Sequence, residues 1–169
     1  MAKIHLIEGP VGAGKSTFAT RLGYEMAAPR LDLDEWMVIL FRPDRPDTDF
    51  MAWYSERKQR CIEQIWNVAA AIVDAGSDVV LELGLVGHLD RASFYERVDA
   101  SDYELAVYVL ETPEEIRRQR VQDRNRRQGH TFKMEVPDDI FELADRAWEP
   151  PDEAECRDRQ IHFVQSGDQ

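Results

Sequence analysis

Residues 9–17 read GPVGAGKST and directly follow an apolar run that contains Ile4, Leu6 and Ile7. The glycines permit a tight turn in which successive backbone N–H groups point inward and can bind phosphate oxygens. The pattern GxxxxGK[ST] is that of a phosphate-binding loop, and here it lies between a predicted strand and a predicted helix, as its mechanism requires. This stretch therefore predicts an α/β protein that binds a nucleotide.

Each part of the loop has an expected contact with a nucleotide. The Lys15 ammonium would contact the β- and γ-phosphates, the Ser16 hydroxyl would bind Mg²⁺, and Thr17 would hydrogen bond an inner phosphate. A helix that starts near Gly14 would direct its positive dipole end to the same anions. We thus predict a site for ATP and Mg²⁺. The predicted nucleotide-binding residues of the loop are Gly9, Pro10, Val11, Gly12, Ala13, Gly14, Lys15, Ser16 and Thr17.

The composition excludes several classes of protein. A chain of 169 residues is most simply one domain, here residues 1–169, which buries roughly two-thirds of its unfolded surface. Cys61 and Cys156 are too few for a disulfide framework, and no apolar run approaches the ~20 residues of a membrane span. With no signal peptide in view, we expect a cytoplasmic protein. The net charge of −12 disfavours binding to nucleic acid or anionic membranes, which depends on Lys and Arg.

Apolar periodicity alternates between strand and helix along the chain, which predicts a mostly parallel sheet. Residues 30–37 read as a brief strand that runs into a helix. The other predicted strands are residues 3–8, 79–83, 105–110 and 161–164. The other predicted helices are residues 15–26, 50–75, 89–98 and 138–148, together with one that starts with Thr112 as its cap and Pro113 at its first position.

Acidic residues stand near the carboxyl ends of two predicted strands, where ligands bind in open α/β sheets. Asp34 follows the second strand and is the predicted general base for an acceptor hydroxyl. Asp32 stays open as an alternative base, and Asp34 could instead cap the helix that follows. Glu82, in an apolar strand, would hold the Mg²⁺ hydration shell or orient the substrate.

An arginine-rich helix after residue 113 predicts a lid over about residues 113–136. Arg120 and Arg124 are four residues apart and therefore share a helical face. On that face, Arg120 would stack on adenine and Arg124 would reach the transferring phosphate. The helix is expected to lie outside the core, with Arg117 and Arg127 solvated or salt-bridged. Further candidates in this segment are Arg118, Arg126 and His130.

The loop, Asp34 and the segment RVQDR at residues 120–124 together resemble the small P-loop kinases. That group includes chloramphenicol phosphotransferase, zeta toxins and polynucleotide 5′-kinases, and the closest likeness is to bacterial predicted kinases and AAA-family ATPases. The resemblance covers most of the chain. It implies a three-layer P-loop NTPase fold: a five-stranded parallel sheet of order 2-3-1-4-5, with helices on both faces. It also implies an acceptor hydroxyl activated by Asp34 and an arginine lid on ATP.

One position departs from the polynucleotide kinases of this group, which usually carry an arginine three residues after the catalytic aspartate. This chain has Met37 there, and a thioether cannot bind a phosphate. Together with the net charge, Met37 disfavours a nucleic-acid acceptor. We therefore predict an ATP- and Mg²⁺-dependent kinase that transfers the γ-phosphate to a hydroxyl of a small molecule.

The acceptor pocket is expected beside the helix at residues 50–75. Its candidate residues are Trp36, Phe41, Trp53, Tyr54 and Arg57. Two alternatives remain open: a polynucleotide or nucleotide-sugar kinase, and a nucleotide-dependent binding switch that transfers no phosphate. The identity of the acceptor, the choice between ATP and GTP, and the oligomeric state are open as well.

Overall fold

The computed structural model describes residues 1–129 and 132–165, which contain a five-stranded sheet of order β2-β3-β1-β4-β5. All four strand pairings are parallel. This confirms the predicted α/β class and the strand order that the resemblance implied. The strands are β1 (Lys3–Glu8), β2 (Arg30–Asp32), β3 (Val79–Glu82), β4 (Glu104–Glu111) and β5 (Ile161–Gln165).

Helices connect the strands and cover both faces of the sheet. They are α1 (Lys15–Met26), α2 (Leu33–Leu40), α3 (Phe50–Asp74), α4 (His88–Ala100), α5 (Glu114–Arg127), α6 (Asp138–Ala147) and α7 (Glu153–Asp158), with a short 3₁₀ turn at Arg42–Asp44. The sequence reading missed α7. Its six residues give no helical periodicity, and a capping box between Asp152 and Glu155 defines its start.

Alternate residues of β1 face two different apolar layers, because successive strand side chains point to opposite faces. Ile4 and Leu6 belong to the layer that packs against Ile65 of α3 and Phe94 of α4. On the other face, Ile7 belongs to a second cluster that includes α1 residues Ala19 and Leu22. The sheet therefore lies between two helical layers, as the three-layer prediction requires. Within residues 1–129 and 132–165, no helix is long and apolar enough to cross a membrane.

Two local predictions about α5 are wrong. Pro113, not Thr112, is the residue before its first turn, because the Thr112 hydroxyl instead donates to the Ala13 carbonyl at 3.2 Å. The helix also does not lie wholly outside the core, since Arg117 and Val121 are buried. One turn of α5 therefore packs inward, although most of its surface carries charge.

Candidate active site

A cleft of about 660 Å³ brings together most of the predicted site residues. One side, which we call the loop end, consists of residues 11–17. A second part of the lining, which we call the aromatic end, consists of Met37, Val38, Arg42, Arg45, Phe50, Trp53 and Tyr54. Asp34, Glu82, Arg120 and Arg124 also line the cleft. Gly9 and Pro10 do not line it, but their carbonyls hold the lysine of the loop.

The loop end has a backbone conformation that only its glycines allow. Gly12 has a φ of 77°, and a Cβ placed there would lie 2.7 Å from the carbonyl oxygen of Arg117. Gly14, with a φ of 92°, caps α1 in the left-handed conformation. The Lys15 ammonium donates to the carbonyl oxygens of Gly9 and Pro10, at 2.8 Å each. Burial lowers the pKa of Lys15.

Arg117 connects α5 to the loop end. Its Nε donates to the Thr112 carbonyl at 2.9 Å, and an Nη donates to the Val11 carbonyl at 3.1 Å. The same guanidinium forms an ion pair with Asp145 of α6 at 2.7 Å. Arg117 is thus salt-bridged but not solvated, and it fixes the start of the predicted lid helix. The apolar Val121, four residues later, was the one sequence signal that this face points inward.

Asp32 is occupied by structural contacts. It caps α2, with one oxygen accepting from the Glu35 N–H at 3.1 Å. Its other oxygen accepts from Arg30 at 2.6 Å and from the Lys133 ammonium. Although burial opposes ionisation, Lys133 and Arg30 hold the pKa of Asp32 below its ordinary value. The helix-cap role considered for Asp34 therefore belongs to Asp32.

Asp34, by contrast, is exposed to the cleft in the first turn of α2. Among the residues that the structure describes, no side chain forms an ion pair or hydrogen bond with its carboxylate. Its charge favours the protonated forms of Lys15 and Arg124 and disfavours ionisation of Tyr54. The electrostatic field of Asp34 thus reaches groups of the loop end, of α5 and of the aromatic end.

Glu82 and Ser16 provide adjacent oxygen atoms, since the Ser16 hydroxyl donates to Glu82 Oε2 at 3.1 Å. Strand pairing places Glu82 in register with Asp32, and Arg30 donates to Glu82 Oε1 at 2.7 Å. Burial first, and then the negative charge of Asp32, raises the pKa of Glu82. A hydroxyl beside a carboxylate fits Mg²⁺, which prefers hard oxygen ligands.

Arg120 and Arg124 both line the cleft from α5. The Nε of Arg124 is buried and has no hydrogen-bond partner among the described residues. Burial lowers the pKa of Arg124. Two other candidates face elsewhere: Arg118 forms an ion pair with Glu114 at 2.9 Å, and Arg126 with Asp123 at 2.6 Å. His130 lies outside the described residues.

The aromatic end includes only two of the five predicted acceptor-pocket residues, Trp53 and Tyr54. Trp36 and Phe41 pack against the large apolar cluster instead. The Arg57 guanidinium lies over the Trp53 ring, 4.6 Å from its centroid, and does not line the cleft. These three residues therefore do not line the cleft, and Trp36 and Phe41 take the core role that is the more common one for aromatic residues at helical spacing.

Sequence reasoning also missed two groups near the loop end. Lys133, from the segment between α5 and α6, lines the cleft and contacts Asp32. Glu8, the last residue of β1, is 1% exposed, and its Oε1 has no hydrogen-bond partner within the described part of the chain. Burial raises the pKa of Glu8 to about 8, although the charge of Lys15 opposes this shift. An acid at the end of an apolar strand was the available signal for Glu8.

Comparison with known proteins identifies relatives of this architecture. The model of the AAA domain family matches residues 4–160. A gluconokinase from Sinorhizobium meliloti is 16% identical, with a TM-score of 0.66 over 99% of this chain and 84% of that one. A sugar kinase from Janibacter sp. HTCC2649 is 16% identical, with a TM-score of 0.65 over 98% and 86%.

An APS kinase from Mycobacterium tuberculosis, solved with AMPPNP and APS, is 15% identical and has a TM-score of 0.63. The similarity covers 99% of this chain and 90% of that one. No curated protein matches the sequence. At these identities the likeness shows a shared fold, and it confirms at that level the resemblance to small P-loop kinases.

Proposed function

This chain belongs to the AAA domain family, and from that premise we propose that it is a kinase. It would transfer the γ-phosphate of ATP, with Mg²⁺, to a hydroxyl of a small molecule. In this proposal, residues 1–169 act as one cytoplasmic kinase domain, with a lid at about residues 113–136, of which residues 130 and 131 lie outside the described residues. The kinase-like fold of the solved relatives supports the reaction class, and the acceptor is argued from this chain alone.

The observation that carries the proposal is the difference between Asp32 and Asp34. Asp32 is buried and bound to Arg30 and Lys133, whereas the carboxylate of Asp34 is exposed in the same cleft as Lys15. A general base must reach the proton that it accepts, and it must have a free oxygen. Asp34 has the free oxygen, and its exposure in this cleft supports its reach to an acceptor bound beside Lys15.

In the proposed step, a hydroxyl oxygen of the acceptor attacks the γ-phosphorus while its proton passes to the Asp34 carboxylate. The bond between the γ-phosphorus and the β–γ bridging oxygen breaks, and its electron pair remains on ADP. Lys15 and Arg124 neutralise the phosphoryl oxygens, and Arg120 holds the nucleotide. Ser16 and Glu82 would hold Mg²⁺, which when bound neutralises further phosphate charge.

The test is phosphate transfer from labelled ATP to a panel of hydroxyl compounds by the wild-type protein and by Asp34→Asn. We expect Asp34→Asn to lower kcat by about 100- to 10,000-fold because the general base is lost. Its affinity for ATP should stay nearly unchanged. Asp47→Asn is the matched control, since Asp47 is exposed and does not line the cleft. Equal kcat values for wild type and Asp34→Asn would remove Asp34 from the mechanism.

The same assay separates the two alternatives. Labelling of a 5′-hydroxyl oligonucleotide, without labelling of small hydroxyl compounds, would identify a polynucleotide kinase. A nucleotide-dependent switch would bind ATP and change the protease sensitivity of residues 112–136, yet phosphorylate nothing in the panel. Either result would replace the proposal of a small-molecule kinase.

A further inference from the structure

Two arginines at the aromatic end, Arg42 and Arg45, line the cleft, and both are exposed. No carboxylate of the described residues forms an ion pair with either. The chain has 33 acidic and 21 basic residues, so unpaired cations inside a cleft stand out. The acidic residues of the same segment, Asp44, Asp47 and Asp49, do not line the cleft.

Each of the two guanidinium groups contacts one neighbouring group. An Nη of Arg42 donates to the Lys133 carbonyl at 3.1 Å. The Arg45 guanidinium lies over the Phe50 ring, 4.2 Å from its centroid. Each group keeps further N–H donors for a ligand, because a guanidinium has five. Paired donors of this kind suit a phosphate, a sulfate or a carboxylate.

Aromatic side chains form the surface next to these arginines. The Phe50 ring lies 6.0 Å from the Trp53 ring and 5.7 Å from the Tyr54 ring, between centroids. Met37 and Val38 extend the apolar surface. No Asn, Gln or His is among the described residues that line the cleft. A planar ring can stack on this aromatic surface.

We propose that the acceptor is a small hydroxyl compound that carries both a planar ring and an anionic group, the chemistry of a nucleoside monophosphate. This inference rests on the proposed kinase function. The ring would pack on Phe50 and Trp53, and the anion would bind Arg42 and Arg45. The acceptor hydroxyl would then point to Asp34, whose charge already acts on Tyr54 of the aromatic end.

A panel of matched acceptors tests the two features separately. Uridine has the ring and hydroxyls without the anion, and its 3′- and 5′-monophosphates add the anion at either position. Glycerol 3-phosphate has the anion without the ring, and gluconate is a ring-free polyol acid. With saturating ATP, we expect kcat/KM for one uridine monophosphate to exceed the values for the other three types by at least about tenfold, which is 1.4 kcal/mol.

Binding to the ADP-loaded protein gives a second measurement that does not need turnover. At least one uridine monophosphate should bind at millimolar concentration and more tightly than uridine. Binding of uridine and its monophosphates with equal affinity, or binding of none of them, would overturn the inference. So would a higher kcat/KM for glycerol 3-phosphate or gluconate.

Variants test whether Arg42 and Arg45 cause the expected preference for a uridine monophosphate. Arg42→Ala combined with Arg45→Ala should raise KM for the uridine monophosphate by about tenfold or more and leave KM for ATP unchanged. Arg60→Ala is the control, because Arg60 is an exposed α3 arginine that pairs with Glu56 and does not line the cleft. An unchanged KM in the double variant would remove these arginines from acceptor binding.

The results separate failure of this inference from failure of the kinase function. If gluconate or glycerol 3-phosphate is the best acceptor and Asp34→Asn abolishes its labelling, the kinase function stands and the inference fails. If no acceptor is labelled although ATP binds, the kinase function itself fails. Preferential labelling of a 5′-hydroxyl oligonucleotide over uridine 3′-monophosphate would show a nucleic-acid acceptor and overturn the inference.

Discussion

The two ends of the cleft are built in different ways. The loop end is one continuous stretch of chain, and the buried side chains of Arg117 and Thr112 hold it through its carbonyl groups. The aromatic end draws on α2, the segment after it and the first turns of α3, and its side chains are mostly exposed or half-buried. The fold therefore determines the geometry of the loop end, whereas the aromatic end can vary within the same fold.

This contrast explains why similarity to known kinases indicates the geometry of the phosphate loop but not the identity of the acceptor. Relatives at 15% or 16% identity share the sheet and hence the strand-to-helix turn that positions a phosphate loop. The residues that would select an acceptor lie outside the sheet, on surface segments between β2 and β3. The acceptor must therefore be inferred from this chain's own side chains.

The largest expected difference between the two ends is in stability, and Arg117→Met tests it. Removing this buried guanidinium leaves Asp145 and two carbonyl groups without their donor. We expect the free energy of unfolding to fall by about 2–4 kcal/mol, because two carbonyl acceptors lose a buried donor while the partly exposed Asp145 can be solvated. Urea denaturation measures this change.

The neighbouring Arg118→Met is the matched control for Arg117→Met. Arg118 forms an ion pair with Glu114 on the surface, so its loss should change the free energy of unfolding by about 1 kcal/mol or less. If both variants unfold at the same urea concentration, Arg117 does not stabilise the loop end. The proposed contrast between the two ends would then lose its main support.

A second difference concerns pH, because a buried carboxyl group, Glu8, lies at the end of β1 directly before the phosphate loop. Burial raises the pKa of Glu8 from 4.5 to about 8, so the folded protein retains a proton that the unfolded chain has released. The resulting stabilisation is complete below pH 4.5 and is lost as the pH rises through about 8. Between pH 5 and pH 8, wild type should lose about 3 kcal/mol more stability than Glu8→Gln.

Urea denaturation of both proteins at pH 5 and pH 8 measures this difference. Glu8→Gln keeps the shape of the side chain but cannot ionise. A difference between the two proteins that depends on pH therefore reports ionisation and not packing. Parallel changes in the two proteins would show that Glu8 does not titrate in this range.

The smallest expected effect lies at the aromatic end. Trp53 is half-buried and lines the cleft, so Trp53→Ala should lower the free energy of unfolding by only about 1 kcal/mol. The same substitution at Trp66, which is 8% exposed and contacts Phe94 in the core, should lower it by about 3–5 kcal/mol. Thermal denaturation of both variants measures the contrast, and equal losses would contradict it.

The sequence predicted the parts of the protein that depend on local pattern. The phosphate loop, α1 and the central strands follow from a motif and from apolar periodicity, so their positions were correct within a few residues. Periodicity alone predicted only a mostly parallel sheet. The strand order required a family resemblance, because strand pairing is a long-range property that no local pattern contains.

Long-range contacts underlie the features that the sequence left open or predicted wrongly. The proposed preference for Asp34 over Asp32 rests on the contact of Asp32 with Lys133, which is 101 residues away. Thr112 does not cap α5 because its hydroxyl bonds Ala13, 99 residues away. The sequence pattern could not show that Arg117 is buried, because Arg117 stands among other arginines that are exposed or half-buried.

The chain leaves the sheet at Asp32 and returns to it at Val79, and every residue of the aromatic end lies within this single excursion. The second half of α3 must be conserved in character, because Ile65 and Ala69 lie in the core. The stretch before it is restricted at Leu33 and Met37, which lie in the same core cluster, but residues 42–49 are almost all exposed. Residues 42–49 can therefore change between relatives without repacking the core, so that the proposed kinase site could take a new acceptor while the sheet and Asp34 stay as they are.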